Sequence, residues 1–240
     1  MDKTVRVFIG YDSNEIIAYH VLAHSILEHA SLPVSITPVM QSQLRGVYHR
    51  ESHALASTEF SFSRFLVPWL CNYEGWAIFI DCDMLCLGDI AELWSWRRPS
   101  MDLMVVKHDH RPTSTTKFNN NVQTRYEKKN WSSVMLMNCA RARTLTPEYV
   151  NTATGLELHQ FKWLEDENRI GALPHRWNHL AGYDAYDPDA AIVHYTEGGP
   201  YFNAYRNCEY SAEWRATLSR MLSVNESIGE FVPEPNARTA

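Results

Sequence analysis

Apolar and polar positions alternate along this chain in two periods. Residues 4–9 (Thr-Val-Arg-Val-Phe-Ile) read as a strand, and the polar break from Gly10 to Asn14 carries residues that start helices. From 15 to 29 the apolar residues Ile16, Ile17, Val21, Leu22, Ile26 and Leu27 recur at helical spacing. Residues 34–39 suggest a second strand, 58–73 a helix interrupted or kinked at Pro68, and 76–83 a buried strand. A short helix is expected at 89–96, strands at 103–107 and 132–138, and a longer helix at 155–168 through Leu156, Phe161 and Leu164. A late strand occupies 190–194. Residues 108–130 carry little periodic signal and read as a mobile loop; 223–240, with Pro233 and Pro235, read as a flexible tail behind one domain at 1–222. Strands alternating with helices predict an α/β domain, a Rossmann-like, mostly parallel sheet with helices on its faces.

Two strands in this pattern stay apolar until they end in chemistry. Residues 76–83 (Trp-Ala-Ile-Phe-Ile-Asp-Cys-Asp) close on two aspartates one residue apart, and 190–194 close on His194. Side chains at i and i+2 of an extended segment point the same way, so Asp81 and Asp83 present two carboxylates to one point. The carboxyl edge of a parallel sheet is where open α/β folds bind ligands. Two carboxylates and an imidazole suit Mn²⁺ better than Mg²⁺, and an incomplete ligand set leaves positions for the diphosphate of a nucleotide sugar. The competing reading is plain structure, with the aspartates capping a turn or helix and His194 a satisfied core histidine. Asp187-Pro188-Asp189 repeats the spacing, but it precedes an apolar run and reads as a turn.

Composition narrows the partners. With 22 basic and 28 acidic residues the formal charge is -6, which offers no footprint for nucleic acid. No apolar stretch approaches a bilayer span and the start lacks a secretory core, so a cytoplasmic location is expected. Five cysteines without a Cys-x-x-Cys pair read as reduced thiols, with Cys82 and Cys86 as small packing residues. His108-Asp109-His110 does not read as a metal site, because adjacent residues leaving a strand point in different directions.

Five segments, in order, carry a resemblance: Phe8-Ile-Gly-Tyr-Asp12, Ser61-Phe-Ser-Arg64, Ile78-Phe-Ile-Asp-Cys-Asp83, Trp131-Ser-Ser-Val-Met-Leu-Met-Asn138 and His194-Tyr-Thr-Glu-Gly-Gly-Pro-Tyr-Phe202. Together they resemble the landmarks of glycosyltransferase family eight, the glycogenin and bacterial galactosyltransferase group, over about residues 4–210. The resemblance implies a GT-A fold and a retaining transfer from a nucleotide-sugar donor, by default a UDP-sugar. It makes Asp81, Asp83 and His194 ligands of Mn²⁺ or another divalent cation, with Asp81 also near the ribose. Tyr11 and Asp12 would lie against base and ribose, and Arg64 near phosphate or sugar oxygens. The acceptor, whether carbohydrate, lipid-linked or protein, is not specified.

The chain departs from that pattern in three places. The lysine that contacts donor phosphates is absent, and backbone amides at Gly198 and Gly199 are the expected substitutes. Trp131-Ser132-Ser133 stands where the family usually has Asn-Ser/Ala-Gly, so the Ser132 and Ser133 hydroxyls are expected to make its sugar contacts. The family's Asp-Gln-Asp has no clean copy; Asp166, within Glu165-Asp166-Glu167, is the candidate for orienting donor or acceptor, against the alternative of a solvated acidic face. Two other functions remain open. One is a haloacid-dehalogenase-type phosphatase, which also ends a strand in Asp-x-Asp; the other is a non-catalytic sugar-nucleotide-binding module.

Overall fold

The structure is a computed structural model that describes residues 3–50, 58–109 and 127–223. Most of the expected 108–130 loop and all but the first residue of the expected 223–240 tail lie outside the described residues. The central sheet has six strands: β1 (Val5–Gly10), β2 (Val34–Val39), β3 (Trp76–Ile80), β5 (Leu103–Val105), β6 (Val134–Asn138) and β7 (Ile170–Ala172), in the order β2-β1-β3-β6-β5-β7. The pairs β2·β1, β1·β3 and β5·β7 are parallel, while β6 is antiparallel to both neighbours. Five strands therefore share one direction, as the alternating pattern predicts. A small second sheet joins β4 (Met84–Cys86), β9 (Ile192–His194) and β8 (His179–Leu180).

The apolar runs explain the central strands. β3 and β6 are buried nearly throughout, which fits strands covered on both faces. Val7, Ile9, Ile78, Ile80, Val134 and Leu136 are fully buried, each contributing about 1.5–3 kcal/mol relative to exposure. Helix α1 (Ile16–His29) buries Val21, Leu22 and Ile26 and leaves Ile16, Ile17 and Leu27 in solvent. Helix α3 (Ile90–Ser95) begins where Asp89 accepts from the Ala91 amide.

Two expected helices are shorter than their periodicity suggests. The 58–73 segment folds as a 3-10 turn, Ser63–Leu66, followed by one turn of α2 (Val67–Leu70). Pro68 permits a helix start but cannot continue one, and Asn72 and Tyr73 turn the chain out with positive φ. The 155–168 segment is helical only over α5 (Gly155–His159), opened by a Thr154/Glu157 capping box and ended by Phe161 at φ 59°. Helices α4 (Pro147–Thr152) and α6 (Ser211–Leu222), together with β7 and β8, were not expected from the pattern. The three-residue β7 and two-residue β8 are too short to show a period.

Candidate active site

The carboxyl ends of β1 and β3 meet the end of β9, and their polar residues converge. β3 ends at Ile80, the Asp81 amide donates to Ser133 O at 2.9 Å, and Asp83 passes into β4 beside β9, where Met84 pairs with His194. Asp81, Asp83 and His194 thereby bring one ligand atom each within 4.8 Å of one another, all three residues buried. His194 Nε2 lies 3.6 Å from Asp83 Oδ1.

The orientation of His194 can be read from its neighbours. Asn178, at the end of a 3-10 turn (His175–Asn178), donates its amide hydrogens to Ser133 Oγ at 2.9 Å and Asn130 O at 3.1 Å. Its Oδ1 is then an acceptor, and it lies 3.0 Å from His194 Nδ1. Nδ1 carries the proton, so in the neutral ring Nε2 turns a lone pair toward Asp83. The Nε2–Oδ1 separation is close to that of two ligands of a shared cation, because ligands about 2.1 Å from one metal lie about 3–3.5 Å apart. Fixing the tautomer through the remote ring nitrogen is how metal-binding histidines are commonly held.

Charge points the same way. Asp12, Glu15, Asp81 and Asp83 are 3%, 1%, 8% and 4% exposed. Arg64 is a buried guanidinium among them, with Nη1 2.5 Å from Asp81 Oδ1 and 3.0 Å from Ser132 O, and with its guanidinium carbon 5.1 Å from the rings of both Phe60 and Phe79. A Cβ on Gly10 would sit 2.4 Å from the Phe60 ring, so glycine at the end of β1 makes room for that cradle. Burial pushes the Asp81 carboxyl up to about 6 against the pull of Arg64, and Asp83 pushes it further. Burial, then Glu15, Asp83, Asp81 and Asp12, raise the Cys82 thiol well above its usual range. The pocket holds more buried negative than positive charge, an arrangement a bound divalent cation would balance.

A curated relative decides the family. Protein CDI of Arabidopsis thaliana is 51% identical over 221 residues, a match that covers 88% of this chain and 85% of the relative. The chain belongs to the Protein CDI family. No protein-family model matches it. Among solved structures, the bifunctional glycosyltransferase WbbM superposes with a TM-score of 0.64 at 15% identity, and the glycosyltransferase GlyE of Streptococcus pneumoniae with 0.61 at 15%. The match takes in 95% and 94% of this chain but only 51% and 61% of those longer proteins. The galactosyltransferase LgtC, solved with donor and acceptor sugar analogs, gives 0.54 at 12%, covering 93% of this chain and 98% of its own. At such identities these likenesses establish the fold alone, and that fold is the GT-A fold of glycosyltransferases.

Other expected site residues of this CDI-family chain fall into distinct positions. Tyr11 follows β1 and packs edge-on against Tyr19, with ring centroids 5.4 Å apart. The Asp12 carboxylate accepts from Asn14 N and Nδ2 at 2.8 and 2.9 Å and from Glu59 N at 3.0 Å, so it ties two loops together at the rim. Ser133 Oγ donates to Asn130 O and accepts from Asn178, which makes it a support for His194 rather than an open hydroxyl. Ser132 Oγ lies 2.7 Å from His159 Nδ1. Gly198 adopts φ 141° and gives its amide to Tyr195 O at 3.0 Å, leaving Gly199 as the remaining candidate for a backbone anion contact. The second Asp-x-Asp is a turn, as expected: the Asp189 amide donates to Asp187 Oδ1.

Asp166 requires correction. It caps the 3-10 turn Glu167–Arg169 by accepting from Asn168 N, and its Oδ1 also takes Asn168 Nδ2. That turn leads into β7, whose first residue pairs with Leu103 at the amino edge of the sheet. Asp166 therefore lies at the sheet end opposite Asp81 and Asp83 and is exposed. Order in the chain does not reveal which edge a short strand starts from.

Three residues of the site went unanticipated. Asn178 orients His194, and a lone amide between Trp177 and His179 carries no motif. His159 ends α5 beside Arg64, held well below the usual imidazole range by burial and then by that guanidinium, so its ring is neutral. Tyr201 donates to Glu15 Oε2 at 2.5 Å across the mouth between α1 and the Gly198-Gly199 turn. Only Tyr201 had a sequence signal, as the aromatic after Gly-Gly-Pro.

Proposed function

We propose that this CDI-family chain is a metal-dependent glycosyltransferase of the family-eight type, moving a sugar from a nucleotide-sugar donor, by default a UDP-sugar, with retention of configuration. The observation that carries the reading is the set of Asp81, Asp83 and His194, with His194 Nε2 3.6 Å from Asp83 Oδ1 inside a buried, net-negative pocket at the carboxyl edge of a GT-A sheet. These residues would hold Mn²⁺, which when bound supplies positive charge to the diphosphate leaving group. Arg64 holds Asp81 in place and keeps one carboxylate ionised in a dry pocket. Asn178 and Ser133 fix the His194 ring. Neutral His159, bonded to Ser132, offers a polar but uncharged wall behind Arg64. The Gly199 amide stands where a phosphate lysine is expected.

Two alternatives were open. In a haloacid-dehalogenase-type phosphatase the first aspartate must be a free nucleophile near the amino terminus, whereas here it follows the third strand and is bonded to Arg64. A sugar-nucleotide-binding module without turnover shares every ligand and differs only in rate. The experiment is a screen of nucleotide sugars by thermal shift and by hydrolysis, with and without Mn²⁺. A Mn²⁺-dependent rise in Tm with one donor, together with its slow hydrolysis, is the expected result. No metal-linked stabilisation by any donor would sink the proposal, and binding without turnover under all acceptors would leave the module.

A further inference from the structure

A second cluster of metal-competent side chains sits on the same sheet edge. His108 follows β5, and His175 follows β7, its parallel neighbour. Both leave the sheet at the carboxyl edge, and Asp184 joins them from the turn after β8. One ligand atom from each of the three lies within 4.8 Å of the others. His175 Nε2 is 3.5 Å from Asp184 Oδ2, and the His108 and His175 rings meet edge-on with centroids 5.0 Å apart. The neighbours of His108 in this cluster are distant in sequence and are not Asp109 or His110; His110 itself lies outside the described residues.

Two members are anchored, His108 through its backbone and Asp184 through its carboxylate. Trp131 Nε1 donates to His108 O at 2.8 Å, and the Leu180 amide donates to Asp184 Oδ2 at 2.6 Å. Buried His179 supplies a further observation. The Tyr210 hydroxyl donates to Asp187 O at 2.8 Å and accepts from Asp187 N at 3.0 Å, so its 3.2 Å contact with His179 Nε2 requires that nitrogen to be the donor. In the neutral ring His179 Nδ1 then bears a lone pair, and it faces Asp184 Oδ2 at 4.0 Å. Asp184 Oδ2, which accepts from the Leu180 amide, thus has two imidazole nitrogens within 4.0 Å, and neutral imidazoles and a carboxylate gathered at one point are metal-competent ligands.

We propose that His108, His175 and Asp184 form a second metal site, one for Zn²⁺ or a similar borderline transition metal. Two imidazoles and one carboxylate are a zinc ligand set, and tetrahedral zinc places its ligand atoms about 3.3 Å apart, close to the His175–Asp184 separation. The His175 side chain is 54% exposed, so it can rotate to close the set and leave a fourth position open to solvent. β5 and β7 are two and three strands from β3, which puts this site roughly 10–14 Å along the edge from Asp81. It is independent of the glycosyl-transfer reading.

The test uses full-length Asp83→Ala protein, in which the first cluster is disabled, stripped with chelator and titrated with Zn²⁺ against a chromophoric zinc chelator. The expected result is one Zn²⁺ per chain by native mass spectrometry, with affinity reduced at least tenfold when His175→Ala is added. His175 is exposed, so its loss leaves the fold intact by circular dichroism. Asp184→Asn, which keeps an acceptor for the Leu180 amide, is expected to weaken zinc similarly without lowering the metal-free Tm. Absence of zinc binding to the Asp83→Ala protein, or equal affinity with and without His175, would overturn the site.

Discussion

The two edges of the central sheet each bury an aspartate, and they treat its charge differently. At the amino edge Asp102 meets Arg169 at 3.3 Å and Arg141 at 3.6 Å, and its backbone bridges Arg169 O and Asn138 N. One carboxylate faces two guanidinium groups. At the carboxyl edge Asp12, Glu15, Asp81 and Asp83 are all buried, Arg64 bonds only Asp81 among them, and His194 Nε2 lies 3.6 Å from Asp83 Oδ1. A buried charge that the chain itself compensates is part of the scaffold, whereas a buried excess is stable only as a place for something else to bind.

The sharpest way to break this contrast is Asp83→Ala. It removes a ligand and relieves repulsion, so it is expected to lower Mn²⁺-linked donor affinity more than 100-fold in titration calorimetry while Tm holds or rises. Unchanged affinity would return Asp83 to the scaffold class.

What the sequence revealed about these edges follows from how each is built. Asp81, Asp83 and His194 were legible as candidates because each follows an apolar run that reads as a strand. The parallel sheet was legible for the same reason. Asp166 was misplaced because the three-residue β7 that orients it leaves no period, and the helix expected through it stops where Phe161 takes positive φ. Asn178 was invisible because its role is to hold another residue's ring, and that pairing spans two sheet-edge segments far apart in sequence.

Arg64→Met sharpens the comparison next. It strands Asp81 in a dry site, with an expected loss of about 3–5 kcal/mol in urea denaturation. Mn²⁺ should recover part of that loss if the cation and Arg64 serve the same charge. Asn178→Ala is expected to cost about 10–100-fold in Mn²⁺ affinity by freeing the His194 ring. A drop in Tm with affinity intact would make Asn178 purely structural.

Burial raises the buried carboxyl at both edges, Asp102 as well as Asp81, and the pH dependence of stability reads the Asp81 shift. Burial pushes the Asp81 carboxyl up to about 6 from its ordinary 3.8, so the folded state binds the extra proton between them. Relative to Asp81→Asn protein, metal-free protein should therefore lose stability as pH rises from about 4 to about 6, and Mn²⁺ should cancel that difference. A flat or rising profile in denaturation with chelator present would contradict the charge excess. The smallest effect belongs to the amino edge: Arg141, 40% exposed and 3.6 Å from Asp102, should cost under about 1 kcal/mol as Arg141→Ala, because Arg169 remains.

The reversed strand β6 has one more consequence. Because it runs against β3, its first residues stand beside the last residues of β3, where Ser132 and Ser133 lend carbonyl oxygens to Arg64 and Asp81. A slip of one residue in that pairing would misplace both carbonyls and exchange the two packed faces of β6. The pocket can thus assemble only when the middle of the sheet is in register, so occupancy of the pocket and integrity of the core are one cooperative event.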